Sequence, residues 1–149
     1  MSTIRSLGGV IAGLVVSFIV VVAVEGMGAV LHPFPPGADM SDMEVCRAHV
    51  AKFPAYVLVL SMIGWGISSF AGSWVATRLG TRRHMAHGLI LGGFLLVMAI
   101  LNMSMLPYPV WFWGNIIVLP VSSFWGAQVA RERRSSSVTA MAESPKIRF

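Results

Sequence analysis

Between Met85 and Ala130 the chain runs 46 residues without one formally charged side chain. No water-soluble architecture accommodates such a run. A bilayer core of about 30 Å takes roughly 20 helical residues at 1.5 Å each, so the run holds two membrane spans, joined at "PYP". In lipid every backbone amide must find its partner within the protein, and uniformly apolar runs of this length do so as helices. Two further runs precede these, and the expected spans are Leu7–Leu31, Ala55–Thr77, Met85–Leu106 and Pro109–Ala130. Composition agrees: hydrophobic residues make up 56% and charged residues 11% of the chain, against about 25% charged in an ordinary soluble domain. The fold class is therefore all-α, a polytopic membrane protein with four transmembrane helices in an antiparallel bundle over residues 1–131. Residues 132–149, with three consecutive serines and mixed charge, read as a disordered cytoplasmic tail.

The net charge of +5 would suggest nucleic acid in a soluble protein. Here the basic residues flank the apolar runs, so they report orientation instead, and no nucleic-acid partner is expected. Arg5, the hairpin "RLGTRRH" (Arg78, Arg82, Arg83) and the exit "RERR" (Arg131, Arg133, Arg134) share one side, against Arg47 and Lys52 on the other. The positive-inside rule then puts both termini in the cytoplasm, in a bacterial inner-membrane setting. The first apolar run exceeds the roughly 7–15 residues of a signal-peptide core, so it reads as a retained anchor helix. The lone cysteine, Cys46, leaves no internal disulfide and no CxxC site.

The first outer loop, residues 32–54, is long enough to hold structure. "HPFPPG" breaks the first helix, because its three prolines have no N–H to donate and Gly37 permits a sharp turn. "SDME", Ser41–Glu44, fits a capping box, after which Met43, Cys46, Val50 and Phe53 share one face of a short amphipathic helix. Pro54 ends that helix and starts the second span.

"SSFAGSWVA" (Ser68–Ala76) recurs as "SSFWGAQVA" (Ser122–Ala130), with six of nine positions identical. "GVIAG" (Gly9–Gly13) and "GLILG" (Gly88–Gly92) form a fainter second pair. Two readings stand: chance repetition in apolar sequence, or a duplicated helical hairpin. Small residues at four-residue spacing fall in every span, at Gly9 and Gly13, Gly72, Gly88 and Gly92, and Gly126. Lipid supplies no hydrophobic drive for helix association, so close backbone approach along such stripes must supply the packing energy. All of them lie in the cytoplasmic halves, which predicts helices tightest there and freer to splay toward the outside.

Glu25 follows eighteen uncharged residues, Leu7–Val24, and lies about 9 Å below the outer end of its helix at 1.5 Å per residue. At the same depth the other spans offer Ser61, Asn102 and Asn115, a polar intramembrane cluster, with His32, Arg47 and Lys52 above as counterions. A carboxylate in hydrocarbon is costly unless paired or hydrated, so these groups are expected to face one another. Two roles fit Glu25: a structural one, accepting from Asn102 or Asn115 to set helix register, and a proton- or cation-coupled binding site in an outward-facing cavity. Tyr56, Tyr108, Trp111, Phe112 and Trp113 mark an outer aromatic belt, and Trp74 and Trp125 an inner one. Pro120 is expected to kink the fourth span.

His32 and His49 lie on one side of the membrane and His84 and His87 on the other, so no pair clamps a haem across the bilayer. "HMAH" places two imidazoles one turn apart with no third ligand, and no metal site, cofactor or catalytic grouping is expected. With its span number, proline-rich first loop and "GSWVATRLG" exit (Gly72–Gly80), the chain resembles small uncharacterised bacterial four-helix inner-membrane proteins. "VAVEGMGA" (Val22–Ala29) locally resembles the first helix of the small multidrug resistance exporters, a likeness that implies a proton-exchanging role for Glu25. The expected function is that of a non-enzymatic accessory, assembly or scaffold component. The alternative is a small coupled transporter using Glu25. Expected partners are the lipid bilayer and a homo-oligomer or larger membrane complex.

Overall fold

A computed structural model of the chain describes residues 2–80 and 84–143. Its elements are α1 (Ser2–Leu31), α2 (Met43–Val50), α3 (Ala55–Leu79), α4 (His84–Met105), a 3-10 turn (Val110–Gly114) and α5 (Asn115–Glu143). No strand occurs among the described residues. Four helices are long and apolar enough to cross a membrane: Ser6–Leu31, Ala55–Leu79, Met85–Met105 and Val110–Arg133. The end carrying Arg78 and Arg131 is termed the basic end, and the end carrying α2 the loop end.

The breaks between helices follow from the backbone chemistry of the residues that make them. Gly37 takes a left-handed φ of 78° in the turn after α1, a conformation that costs glycine least. α2 is capped by Asp42, whose side chain accepts from the Glu44 amide at 2.9 Å, while the Ser41 amide turns back to Asp39. The expected capping box is therefore replaced by an Asp cap, and the Glu44 carboxylate pairs instead with Arg47 at 2.8 Å. Pro54 caps α3 and Gly80 ends it. Residues 110–114 tighten into the 3-10 turn, so the fourth span opens with that turn and α5 proper starts at Asn115. α5 then continues through Pro120 and past Ala130 to Glu143. The reading of residues 132–143 as a disordered tail is corrected: helix propagation adds a hydrogen bond per residue, and the first breaker beyond Arg131 is Pro145. Residues 144–149, and Arg82 and Arg83 of the basic hairpin, lie outside the described residues.

α3 is the centre of the bundle and packs against the other three spans, whereas α1 lies along α3 and meets α4 only sparsely. The two repeated stretches share a burial pattern, with Ser69 and Ser123, Gly72 and Gly126, and Ala76 and Ala130 all buried. Their packing partners differ, however. Gly72 abuts Gly13 and Ser17 of α1, and Gly126 abuts the Phe70 carbonyl of α3. α3 packs along α4, but α5 does not pack along α1 in the same way, so the helix contacts lack the two-fold pattern of a duplicated hairpin.

The basic-end half is built from small residues. A Cβ on Gly13 would lie 2.6 Å from the Gly72 carbonyl oxygen, closer than any side chain tolerates. Gly9 meets α3 at Ala76, and Gly88 and Gly92 meet Thr77 of α3 and Ser123 of α5. Serines fasten these contacts. Ser17 Oγ donates to the Ser68 carbonyl at 3.1 Å and Ser68 Oγ donates back to the Ser17 carbonyl at 3.0 Å. Ser73 Oγ, Ser123 Oγ and the Gly88 carbonyl form a three-oxygen cluster in which one hydroxyl donates to the other and the second donates to the carbonyl, while Ser69 donates to the Leu119 carbonyl. The loop-end half is packed by large side chains, with Leu58, Trp65, Met103, Phe112 and Leu119 at its core.

Candidate functional site: a lateral groove at Glu25

Because α1 and α4 diverge, a groove of about 580 Å³ opens between them, floored by α3 and by Leu119 of α5. Each wall is a helical stripe. α1 contributes Leu14, Phe18, Val21 and Glu25, and α4 contributes Phe94, Met98 and Asn102, spaced three or four residues apart so that they share one face. Phe18, Glu25, Phe94, Met98 and Asn102 are all exposed, so the groove opens sideways, away from the bundle axis. Ser17 and Ser68 also line it, but their hydroxyls are committed to each other's backbone. Glu25 is the only charged side chain of the lining.

Glu25 is held by Trp65, whose indole Nε1–H donates to Glu25 Oε1 at 3.0 Å. Trp65 is only 8% exposed, and its ring meets Phe112 edge to face at 5.5 Å, which locks its orientation. Of the two flanking glycines, Gly64 faces α1 and Gly66 faces α5. Gly64 lies directly against the Val24 side chain, so any side chain there would push α1 away from Trp65. Trp65 is not among the residues expected from the sequence, because it lies mid-span and outside the interfacial belts where tryptophan concentrates. Its signal was a mid-span indole, which must place an N–H donor somewhere in an apolar setting, set between two glycines in "GWG".

The expected polar layer is not assembled. Glu25 and Asn102 share the groove, with no hydrogen bond between them among the described residues. Ser61 and Asn115 are buried away from it. The physical reason for Asn115 is the 3-10 turn: Asn115 becomes the first residue of α5, and its Nδ2 donates to the Phe112 carbonyl at 3.1 Å. Its Oδ1 has no hydrogen-bond partner among the described residues.

None of the three expected counterions forms an ion pair with Glu25 among the described residues, and two of them are engaged elsewhere. Arg47 Nε donates to the carbonyl of Met105, the last residue of α4, at 3.0 Å. The His32 ring stacks on His49 at 4.7 Å, and Phe34 stacks on the same imidazole at 3.7 Å. Lys52 is exposed and forms no ion pair among the described residues. His49, a buried residue that sequence reasoning did not single out, is thus the anchor of α2. These contacts tie α2 to the end of α1 through His32 and to the end of α4 through Arg47. A strap therefore joins the loop ends of the two helices that flank the groove. Tyr108, stacked on Phe112 at 4.5 Å, lies near enough that burial first and the Glu25 charge second push its hydroxyl above its ordinary titration range.

At the other end the groove stops where Gly13, Gly72 and Leu91 close on one another. The result is an apolar, sideways-open slot with one carboxylate near its strapped end. No group of three His, Cys, Asp or Glu side chains suited to a metal ion occurs among the described residues. Comparison with known protein families, characterised proteins and solved structures finds no match to this chain.

Proposed function

We propose that this is a non-enzymatic, multi-pass membrane protein, an accessory or assembly component that receives a membrane-embedded molecule sideways into the groove between α1 and α4. The observation that supports this reading is the shape of the groove: apolar walls, an opening on the side of the bundle between α1 and α4, and tight packing or a strap at its two ends. The basic residues support an inner-membrane orientation with both termini in the cytoplasm, since Arg78, Arg131 and Arg133 cluster at one end. A photoreactive benzophenone side chain in place of Phe18, at the groove rim, tests the reading. It captures one membrane-embedded species out of proportion to its abundance in intact membranes, whereas the same probe at Ile117, on the outer face of α5, labels bulk lipid in proportion to its abundance. The same product distribution at both positions, or no product at Phe18, sinks it.

A second reading is favoured by Glu25 lining the same groove: proton- or cation-coupled transport. It requires a route past the Gly13–Gly72 contact to the basic end. Proton-driven flux in liposomes that Glu25→Gln abolishes while leaving folding intact establishes it, and its absence leaves the binding reading alone.

A further inference from the structure

The groove matches one leaflet of a bilayer in length and in the placement of its polar group. From Leu14 to Glu25 the α1 wall rises about 16 Å at 1.5 Å per residue, close to half of the roughly 30 Å hydrocarbon core. Counted from Leu7, where the uncharged run begins, that core ends near Gly26, so Glu25 falls at the boundary between acyl chains and headgroups. A slot with this profile accepts one hydrocarbon tail along Leu14, Phe18, Val21 and Met98, with the molecule's head at Glu25 and Asn102. Its volume of about 580 Å³ is within the range of sites that enclose small ligands.

The chemistry at the head end narrows the class. A carboxylate accepts several hydrogen bonds, and Trp65 supplies one of them at Oε1. Arg47 and His32 are spent on Met105, Glu44 and His49, and neither they nor Lys52 forms an ion pair with Glu25 among the described residues, so its charge is left for a ligand to meet. An anionic head is repelled there, and a quaternary ammonium brings charge without an N–H. A primary ammonium brings both. The Asn102 amide, on the facing wall, offers a donor for the phosphate oxygens of the same headgroup.

We propose that the groove between α1 and α4 is a binding site for a bilayer phospholipid with a primary-amine headgroup, one chain in the slot and its ammonium on Glu25. This rests on the reading of the groove as a lateral docking site and names its occupant. Native mass spectrometry of the delipidated full chain, titrated with dioleoyl lipids bearing ethanolamine, choline or glycerol headgroups, tests it. The expected result is about tenfold tighter retention of the ethanolamine lipid, the effect of roughly one charge-assisted hydrogen bond. Affinity falls stepwise as the amine is mono-, di- and trimethylated, a series that needs no variant protein. Glu25→Gln erases the headgroup preference while retaining chain binding, and Val21→Trp, which fills the slot, removes adducts with every headgroup.

Adducts with no headgroup preference, or a preference that survives Glu25→Gln, overturn the proposal while leaving the docking reading in place. A protein rather than a lipid captured at Phe18 does the same. No adduct of any kind, together with no capture at Phe18, overturns both.

Discussion

The two halves of the bundle solve helix association differently. At the basic end, glycines bring backbones together and the buried serine hydroxyls bond neighbouring carbonyls or one another, as the reciprocal Ser17 and Ser68 bonds show. At the loop end, large side chains hold the helices apart, Trp65 spends its N–H on Glu25, and a slot remains. Close packing leaves no room for a ligand, whereas spacing by aromatic rings creates room together with a polar group facing into it. Function is therefore expected at the loop end and stability at the basic end.

The sharpest way to break this contrast is to add the same kind of bulk to each half. Gly13→Leu drives its side chain into the Gly72 carbonyl and costs about 1–3 kcal/mol or more. The loss is read as reduced recovery of monodisperse protein after heating in detergent. Val21→Trp, pointing into the slot, stays within about 0.5 kcal/mol of the parent. Equal damage from both substitutions contradicts the division into a packed and an open half.

Smaller effects sharpen it. Trp65→Phe keeps ring packing on Phe112 and loses only the bond to Glu25, an expected cost of about 0.6–1.7 kcal/mol by the range for hydrogen bonds in membranes. Its thermal transition drops modestly, and Glu25→Gln in that background adds little further change. Ser17→Ala removes one side of the reciprocal pair and costs about 0.6 kcal/mol, seen as a small shift in the same transition.

The smallest expected effect is a pH response of the strap. Burial first, with the charges of His32 and Lys52 also acting, holds the His49 imidazole below its ordinary titration value of 6.5. The unfolded chain then takes up the proton first as pH falls, so the cluster's stability is intact above about 6.5 and is lost as acidification proceeds through the lower folded value. Amide exchange across residues 43–53 should quicken below that pH in the parent chain. In His49→Phe the rate should stay flat once intrinsic exchange is corrected. A strap whose exchange is pH-independent in both removes His49 as its anchor.

Much of this architecture was legible residue by residue. The uncharged runs dictated four helices, since lipid offers backbone amides no other partner, and the positions of the small residues indicated which half packs closely. Gly9, Gly13, Gly72, Gly88, Gly92 and Gly126 are all buried where helices cross. The site was legible only in part. Glu25 stood out as a charge in an apolar run, but its partner came from a tryptophan at a different spacing, and Asn115 was withdrawn by a 3-10 turn that periodicity does not reveal. Arg47 and His32 were counted as counterions by depth alone, while hydrogen bonding and ring stacking assigned them to the strap.

What the sequence determined by itself is the solvent and the secondary structure, because hydropathy and proline placement act through each segment's own exchange with lipid and water. Tertiary structure alone decided the rotation of each helix about its axis and the rank of its neighbours. α3 took the centre, α1 was left at the edge, and the gap between α1 and α4 exposed Glu25 sideways. Those outcomes depend on how side chains from different segments interlock, and hydrophobicity in a uniformly apolar helix carries no direction that would reveal them.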